Sequence, residues 1–168
     1  YLSSRKTALE REVRAFGELA AGEIAKHLIS LYFLQEKYRK EKWGEPAPLP
    51  IRKCGILGAG VMGGGIAQLF SFYGFPVRLK DLNYASLGKG LAEAQAVYNN
   101  ALKRRKVKPH QVANGMALIS PTLDYRGFSN ADLIVEAVVE DLKIKQNVFA
   151  EISALVGPSA ILASNTSC

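Results

Sequence analysis

Apolar residues recur at threes and fours along the N-terminal stretch: Leu9, Val13, Phe16, Ala20, Ile24, Leu28, Leu31 and Leu34, with Glu, Lys and Arg between them. That spacing predicts an amphipathic helix from about Arg5 to Lys42, weakened at Gly17 and with a break expected near Gly22. A stripe this long needs something to pack on, either the domain that follows or a partner outside this chain. The run "KWGEPAPLP" then interrupts the pattern, because its prolines forbid helix and favour an extended spacer. The expected organisation is a helical connector over 1–43, a proline-rich linker over 44–50 and a second domain over 51–168.

After the spacer the period changes. "IRKCGIL" is a strand candidate ending before Gly58, and "GGGIAQLFSFY" reads as a helix stopped by Gly74. "PVRLKD" predicts a second strand, followed by a long charged helix from about Tyr84 to Lys106. "KPHQVANG" continues as a turn and short helix. "MALISPTL" is a third strand, short or at an edge because of Pro121. "ADLIVEAVV" is a near-continuous apolar run, as expected of a strand buried on both faces. "LKIKQNVFAEISALV" is an amphipathic helix ended by Gly157-Pro158, and "AILASN" opens a further strand. Alternating strands and helices predict an α/β fold with a parallel sheet and right-handed crossovers.

The handover from first strand to first helix is crowded with glycine. "CGILGAGVMGGGIAQLF" holds Gly58-x-Gly60-x-x-Gly63 between a strand and a helix, and an acid, Asp81, closes the next strand. In a dinucleotide fingerprint Gly58 makes the tight turn, Gly60 lets a pyrophosphate approach, and Gly63 lets helix and strand pack closely. The helix start supplies free N–H donors and partial positive charge to the diphosphate. A tight turn with no ligand is the bland alternative, but strand, helix and acid together favour the dinucleotide. Gly64 and Gly65 are expected at close helix–sheet contact. The fold expected is therefore a Rossmann-like, doubly wound parallel sheet, with a helical insertion after the second strand and the helical connector ahead of it.

Asp81 bears on the choice of cofactor. A carboxylate accepts from ribose hydroxyls and repels a 2′-phosphate, which favours NAD. Arg78 and Lys80 are basic and pull toward NADP, but Lys80 should alternate to the other side of the strand.

Composition adds little beyond exclusions. The 168 residues carry a net charge of +7, with 48% hydrophobic residues. No apolar run approaches the roughly 20 residues needed to span a bilayer, so a soluble protein is expected. The aromatics do not interleave with the basic residues, which disfavours nucleic acid. A phosphate-rich small ligand accounts for the charge equally well. Cys54 and Cys168 suggest no disulfide framework; Cys54 reads as a small buried hydrophobe, and no metal-ligand spacing exists. The charged opening without an initiator Met suggests an excised or processed piece.

The stretches "GILGAGVMGGGIAQLF", "VRLKDLN", "LDYRGFSNADLIVEAVVEDLKIKQNVFAEI" and "ILASNTS" resemble the nucleotide-binding domain of L-3-hydroxyacyl-CoA dehydrogenases. The form in the multifunctional α-subunit of the fatty acid oxidation complex is the nearest, and "FGELAAGEIAKHLISLYFLQEKYRK" resembles the helical connector between its hydratase and dehydrogenase parts. The resemblance implies oxidation of a 3-hydroxyacyl-CoA to the 3-ketoacyl-CoA, in β-oxidation, with hydride passing to NAD⁺. It assigns Gly58, Ala59, Gly60, Val61, Met62 and Gly63 to the pyrophosphate, and Asp81 to the adenosine ribose. Glu140 and Lys145 fall on the nicotinamide-ribose side, although charges around a helix start are also ordinary capping. Ser167 matches a serine near the nicotinamide and the substrate oxygen. Asn165 lies beside it, on the substrate side, in a turn whose Ser, Asn and Thr are common for structural reasons alone. Arg104, in the basic run "KRRKVK", falls where the family meets CoA, though a basic helix end is equally explained by the helix dipole.

The family's catalytic histidine and its glutamate partner follow "SNTS", and His27 and His110 do not match that segment. The expectation is a C-terminally truncated piece that binds NAD without turning over. A stand-alone NAD-binding or interaction module is the alternative. The implied partners are an acyl-CoA substrate, the family's C-terminal dehydrogenase domain, an N-terminal hydratase domain and a thiolase subunit. The implied setting is cytoplasmic, or the mitochondrial matrix in a eukaryote.

Overall fold

The computed structural model describes residues 4–41 and 49–166. The chain divides into two compact units, Tyr1–Pro48 and Leu49–Cys168. Most of the proline spacer lies outside the described residues, as do Ser167 and Cys168.

In the first unit α1 (Arg5–Ala21) starts at Ser4, whose hydroxyl accepts from the Thr7 N–H at 3.3 Å. Gly22 is extended (φ −69°, ψ 157°), and α2 (Glu23–Lys40) restarts beyond it. The break expected near Gly22 is therefore present, and the long apolar stripe is carried by two helices. Gly22 lacks the Cβ packing that would hold it helical, so the weak point in the pattern is where the chain breaks. No residue of either helix is buried.

The second unit is a five-stranded parallel sheet in the order β3-β2-β1-β4-β5. Its strands are β1 (Cys54–Leu57), β2 (Val77–Lys80), β3 (Ile119–Thr122), β4 (Leu133–Glu136) and β5 (Ile161–Ser164). Strand order reverses between β1 and β4, which makes the C-terminal ends of those two strands the natural ligand crevice. Central β1 is buried along its whole length, so it reads as an unbroken apolar run. One face, with Ile56 and Leu79, packs on α3 (Val61–Phe72) and α4 (Tyr84–Lys103). The other, with Leu57, Phe128 and Ile134, packs on Ile152 of α6 (Leu142–Ser153). Pro121 sits in edge strand β3, where a missing N–H costs no ladder bond on the open side. Met116 and Ala117, placed in that strand by the sequence pattern, belong to the end of α5 (Pro109–Ala117).

The helix after β2 ends earlier than its charge pattern suggests. Arg104 caps α4, and Arg105 adopts φ 55°, turning the chain toward α5. There Tyr98 is fully buried, and its hydroxyl lies 2.8 Å from the Ser71 Oγ. Tyr98→Phe should cost about 1 kcal/mol, the net worth of one buried hydrogen bond, read as a lower urea midpoint at unchanged slope. An unchanged midpoint would mean that the hydroxyl pair contributes nothing. Cys54 is also fully buried; burial first, then the Asp132 charge, pushes its thiol up to about 11.

Candidate cofactor site

The register of the sheet places one residue from each strand in a row along its C-terminal rim: Thr122, Lys80, Leu57, Glu136 and Ser164. The glycine loop climbs out of the middle of that row. Gly58 has φ +102°, which only glycine adopts without strain, and its N–H donates to the Lys80 carbonyl at 2.9 Å. A Cβ there would also stand 2.4 Å from the Ala137 carbonyl oxygen, so the turn is wedged against the strand beyond the switch point. A Cβ on Gly63 would lie 1.8 Å from the Gly58 carbonyl oxygen, which is how closely α3 approaches the loop.

Gly60 is different: a Cβ built on it meets nothing within 4 Å. It is the N-cap of α3 and offers no capping side chain, and the first helical bond runs from the Gly64 N–H to its carbonyl at 2.9 Å. The start of α3 therefore has no capping side chain and, at Gly60, Val61 and Met62, borders open cavity, with the positive end of the helix dipole behind it, an arrangement suited to a diphosphate. Gly64 does not serve a helix–sheet contact as the pattern suggests. Its Cβ would meet the Gly90 carbonyl oxygen at 2.5 Å, so it lets α3 and α4 touch, while Gly65 faces open space.

Two cavities flank Gly60. The first, about 390 Å³, is lined by Asp81, Lys80, Tyr125 and the apolar Val138, Ile144 and Val148 among others. Asp81 is anchored at its mouth: Oδ2 accepts from the Ala59 N–H and Oδ1 from the Leu82 N–H, both at 2.6 Å. Each oxygen keeps a lone pair for a further donor. Strand alternation puts Lys80 on the opposite side from Asp81, yet both line this cavity, which lies at the end of β2. Arg78 is directed elsewhere, its Nε donating to the Arg126 carbonyl at 2.8 Å.

The second cavity, about 540 Å³, is lined by Val61, Met62, Glu140, Asn165 and Thr166 together with the loop from Ala137 to Val139. Glu140 accepts from the Thr166 hydroxyl at 3.1 Å, and the Asn165 N–H donates to the Glu136 carbonyl at 2.9 Å. Lys145 lies behind them rather than in the cavity wall. Its Nζ is 2.9 Å from Glu136 Oε1, 3.0 Å from Oε2 and 3.4 Å from Glu140 Oε2.

Glu136 was missed by motif reading. It is completely buried, and also accepts from the Val138 N–H at 2.8 Å and the Ser164 hydroxyl at 2.5 Å. Burial pushes its carboxyl up, but the hydrogen bonds from Ser164, Lys145 and Val138 and the Lys145 charge outweigh that and hold it below the ordinary glutamate range. Burial likewise pulls Lys145 down, while Glu136 and then Glu140 raise it above the ordinary lysine value. The signal was present in "ADLIVEAVV": an acid inside a run buried on both faces must have a partner.

The structure thus gathers Gly58, Ala59, Gly60, Val61, Met62, Gly63, Asp81, Glu140, Lys145 and Asn165 around one rim. Arg104 is not among them. It sits at the far end of α4, roughly 30 Å of helix from the Asn83 cap. Ser167 lies outside the described residues. His27 and His110 are exposed and line neither cavity. Among the described residues no cluster of His, Cys, Asp or Glu could hold a metal ion, and no helix is long and apolar enough to cross a membrane.

Comparison with known proteins agrees with this geometry. The family model described as "3-hydroxyacyl-CoA dehydrogenase, NAD binding domain" matches residues 53–168. A fatty acid oxidation complex subunit alpha from Pseudomonas putida is 41% identical over 164 residues, 97% of this chain and 23% of the relative. The chain therefore spans under a quarter of that relative's length. Among solved structures, FadB2 of M. tuberculosis superposes with a TM-score of 0.69 at 34% identity, covering 71% of this chain and 42% of the other. (S)-3-hydroxybutyryl-CoA dehydrogenase PaaH1 from Ralstonia eutropha gives 0.67 at 34% identity, covering 70% and 42%.

Proposed function

The chain belongs to the family of 3-hydroxyacyl-CoA dehydrogenase NAD-binding domains, and from that premise we propose that it is the cofactor-binding part of an enzyme oxidising 3-hydroxyacyl-CoA to 3-ketoacyl-CoA. The observation that carries this is the rim itself: an uncapped helix start at an open glycine, with an anchored carboxylate on one side and, on the other, a largely apolar cavity into which Glu140, Asn165 and Thr166 bring the polar groups. When bound there, NAD supplies the hydride acceptor. The α3 N-terminus holds the diphosphate across Gly60, and the spare lone pairs of Asp81 take the adenosine ribose hydroxyls. Glu140, backed by Lys145, and Asn165 line the cavity left for the nicotinamide end and the substrate. Ser167 belongs with them by its place beyond β5.

The larger setting is also part of this proposal. Relatives named as the alpha subunit of a fatty acid oxidation complex, of which this chain spans under a quarter, support a larger multidomain protein; the acyl-CoA substrate, a hydratase domain ahead of this segment and a thiolase subunit as partner are what the family resemblance adds to the proposal. CoA contact through Arg104 would need substrate to extend well beyond the rim.

Calorimetric titration of the chain with NAD⁺ and NADP⁺ tests the cofactor reading. NAD⁺ is expected to bind more tightly than NADP⁺. Asp81→Asn should weaken NAD⁺ roughly tenfold or more, the worth of a hydrogen bond to a charged group, and narrow the gap to NADP⁺. Absence of NAD⁺ binding would overturn the reading. In the full-length protein, acetoacetyl-CoA-dependent NADH oxidation tests the substrate class, and its absence there would favour a non-catalytic NAD-binding module.

A further inference from the structure

Lys80 and Asp81 are neighbours in sequence and share a cavity, yet they are not paired. Among the described residues Lys80 forms no ion pair with any carboxylate. Its ammonium sits instead over the face of Tyr125, 4.5 Å from the ring centroid, within the range of a cation–π contact. The ring is a fixed perch. Its hydroxyl donates to Glu151 Oε2 at 2.7 Å, and the ring meets fully buried Phe128 in a T-shaped contact with centroids 5.9 Å apart.

The position of this ammonium matters for cofactor choice. Released from the ring, it could bind the lone pairs that Asp81 keeps for ribose hydroxyls, which would weaken NAD. It could equally swing toward a 2′-phosphate and cancel the repulsion that Asp81 exerts on it, which would strengthen NADP. Both changes lower the preference for NAD. Of the other nearby cations, Arg78 is tied to the Arg126 carbonyl, and Lys89 reaches the cavity from α4 on an exposed side chain.

We propose that Tyr125 is a positioning residue for cofactor selectivity: its ring holds the Lys80 ammonium away from Asp81 and from the 2′-position of the cofactor. This rests on the reading that the Asp81 cavity takes the adenosine ribose. The test is the ratio of NAD⁺ to NADP⁺ dissociation constants, measured by calorimetry on the full chain, with circular dichroism to verify folding. Tyr125→Leu keeps apolar bulk against Phe128 and removes the ring, and should lower the preference for NAD⁺ about fivefold or more. Tyr125→Phe keeps the ring and loses only the Glu151 bond, and should stay within about twofold of wild type. With Lys80→Met in place, Tyr125→Leu should produce no further change.

An unmoved ratio in a folded Tyr125→Leu protein overturns the proposal, as does an equal shift with and without Lys80, which would point to Lys89 or to cavity shape. If Tyr125→Leu does not fold, Lys80→Met alone decides. A ratio within about twofold of wild type is expected for an ammonium already held out of the site, and a rise beyond fivefold would show that it already reaches the 2′-position. Asp81→Asn separates this from the underlying reading: if it leaves NAD⁺ affinity and the ratio unchanged, the adenosine assignment has failed rather than the role of Tyr125.

Discussion

Gly63→Ala is expected to destabilise the second unit by about 3 kcal/mol or more and to abolish measurable NAD⁺ binding. The new Cβ would stand 1.8 Å from the Gly58 carbonyl oxygen and 2.9 Å from its carbon. Neither atom is the end of a flexible side chain. Ordinary contact near 3.5 Å demands that α3 and the loop separate by roughly 1.5 Å or more. Gly58 cannot yield easily, because it is wedged against Ala137 and bonded to the Lys80 carbonyl. Movement of α3 instead would carry the N–H groups of its first turn away from the diphosphate. Gly65→Ala, on the same helix with nothing within 4 Å, should stabilise by about 0.5–1 kcal/mol through helix propensity alone. Urea denaturation of both variants, paired with NAD⁺ titration, checks the contrast. Equal midpoints for the two would show that the close approach at Gly63 is not what this geometry requires.

Glu136→Gln is expected to cost about 3 kcal/mol, because it leaves Lys145 beside a neutral amide with only the solvent-facing Glu140 for a partner. Lys145→Met on top of Glu136→Gln should recover part of that loss, since replacing both members of a buried pair costs less than orphaning one. If single and double variants are equally unstable, the ion pair is not the source.

The pH dependence has a definite sign. The folded carboxyl of Glu136 lies below its unfolded value, so its contribution is complete above the ordinary glutamate pKa near 4.3 and is lost as pH falls through the folded value. Lys145 is raised, so its contribution is complete below the ordinary lysine value near 10.4 and is lost only as pH rises through the higher folded one. The stability gap between wild type and Glu136→Gln should therefore be constant from about pH 5 to 9 and close in acid below about pH 4. A gap that narrows near neutrality would contradict this assignment.

Much of this protein follows from local rules that can be read along the chain. Gly58, Gly60 and Gly63 each have a separate steric duty, and the distances between them are set by one turn and the start of one helix. Asp81 closes the next strand at the interval a βαβ unit imposes, and Pro121 marks an edge strand. Pattern alone also placed the break at Gly22. These are contacts short in sequence, or repeated by the period of a helix or strand.

What pattern could not supply depends on register between strands distant in sequence. Glu136 opposes Leu57 on one side and Ser164 on the other, and that alignment delivers the Ser164 hydroxyl, which joins the Lys145 ammonium from α6 in letting a buried carboxylate stay charged. The same holds for Lys80. Strand alternation sends it away from Asp81, but the loop after β3 brings the Tyr125 ring beside it and the cavity at the strand end includes both. Gly64 met a helix instead of the sheet for the same reason. Local pattern is enough to specify the loop that can hold a dinucleotide; the packing of β4, β5 and α6 around that loop sets which charges surround it, because charges are placed by the partners that compensate them.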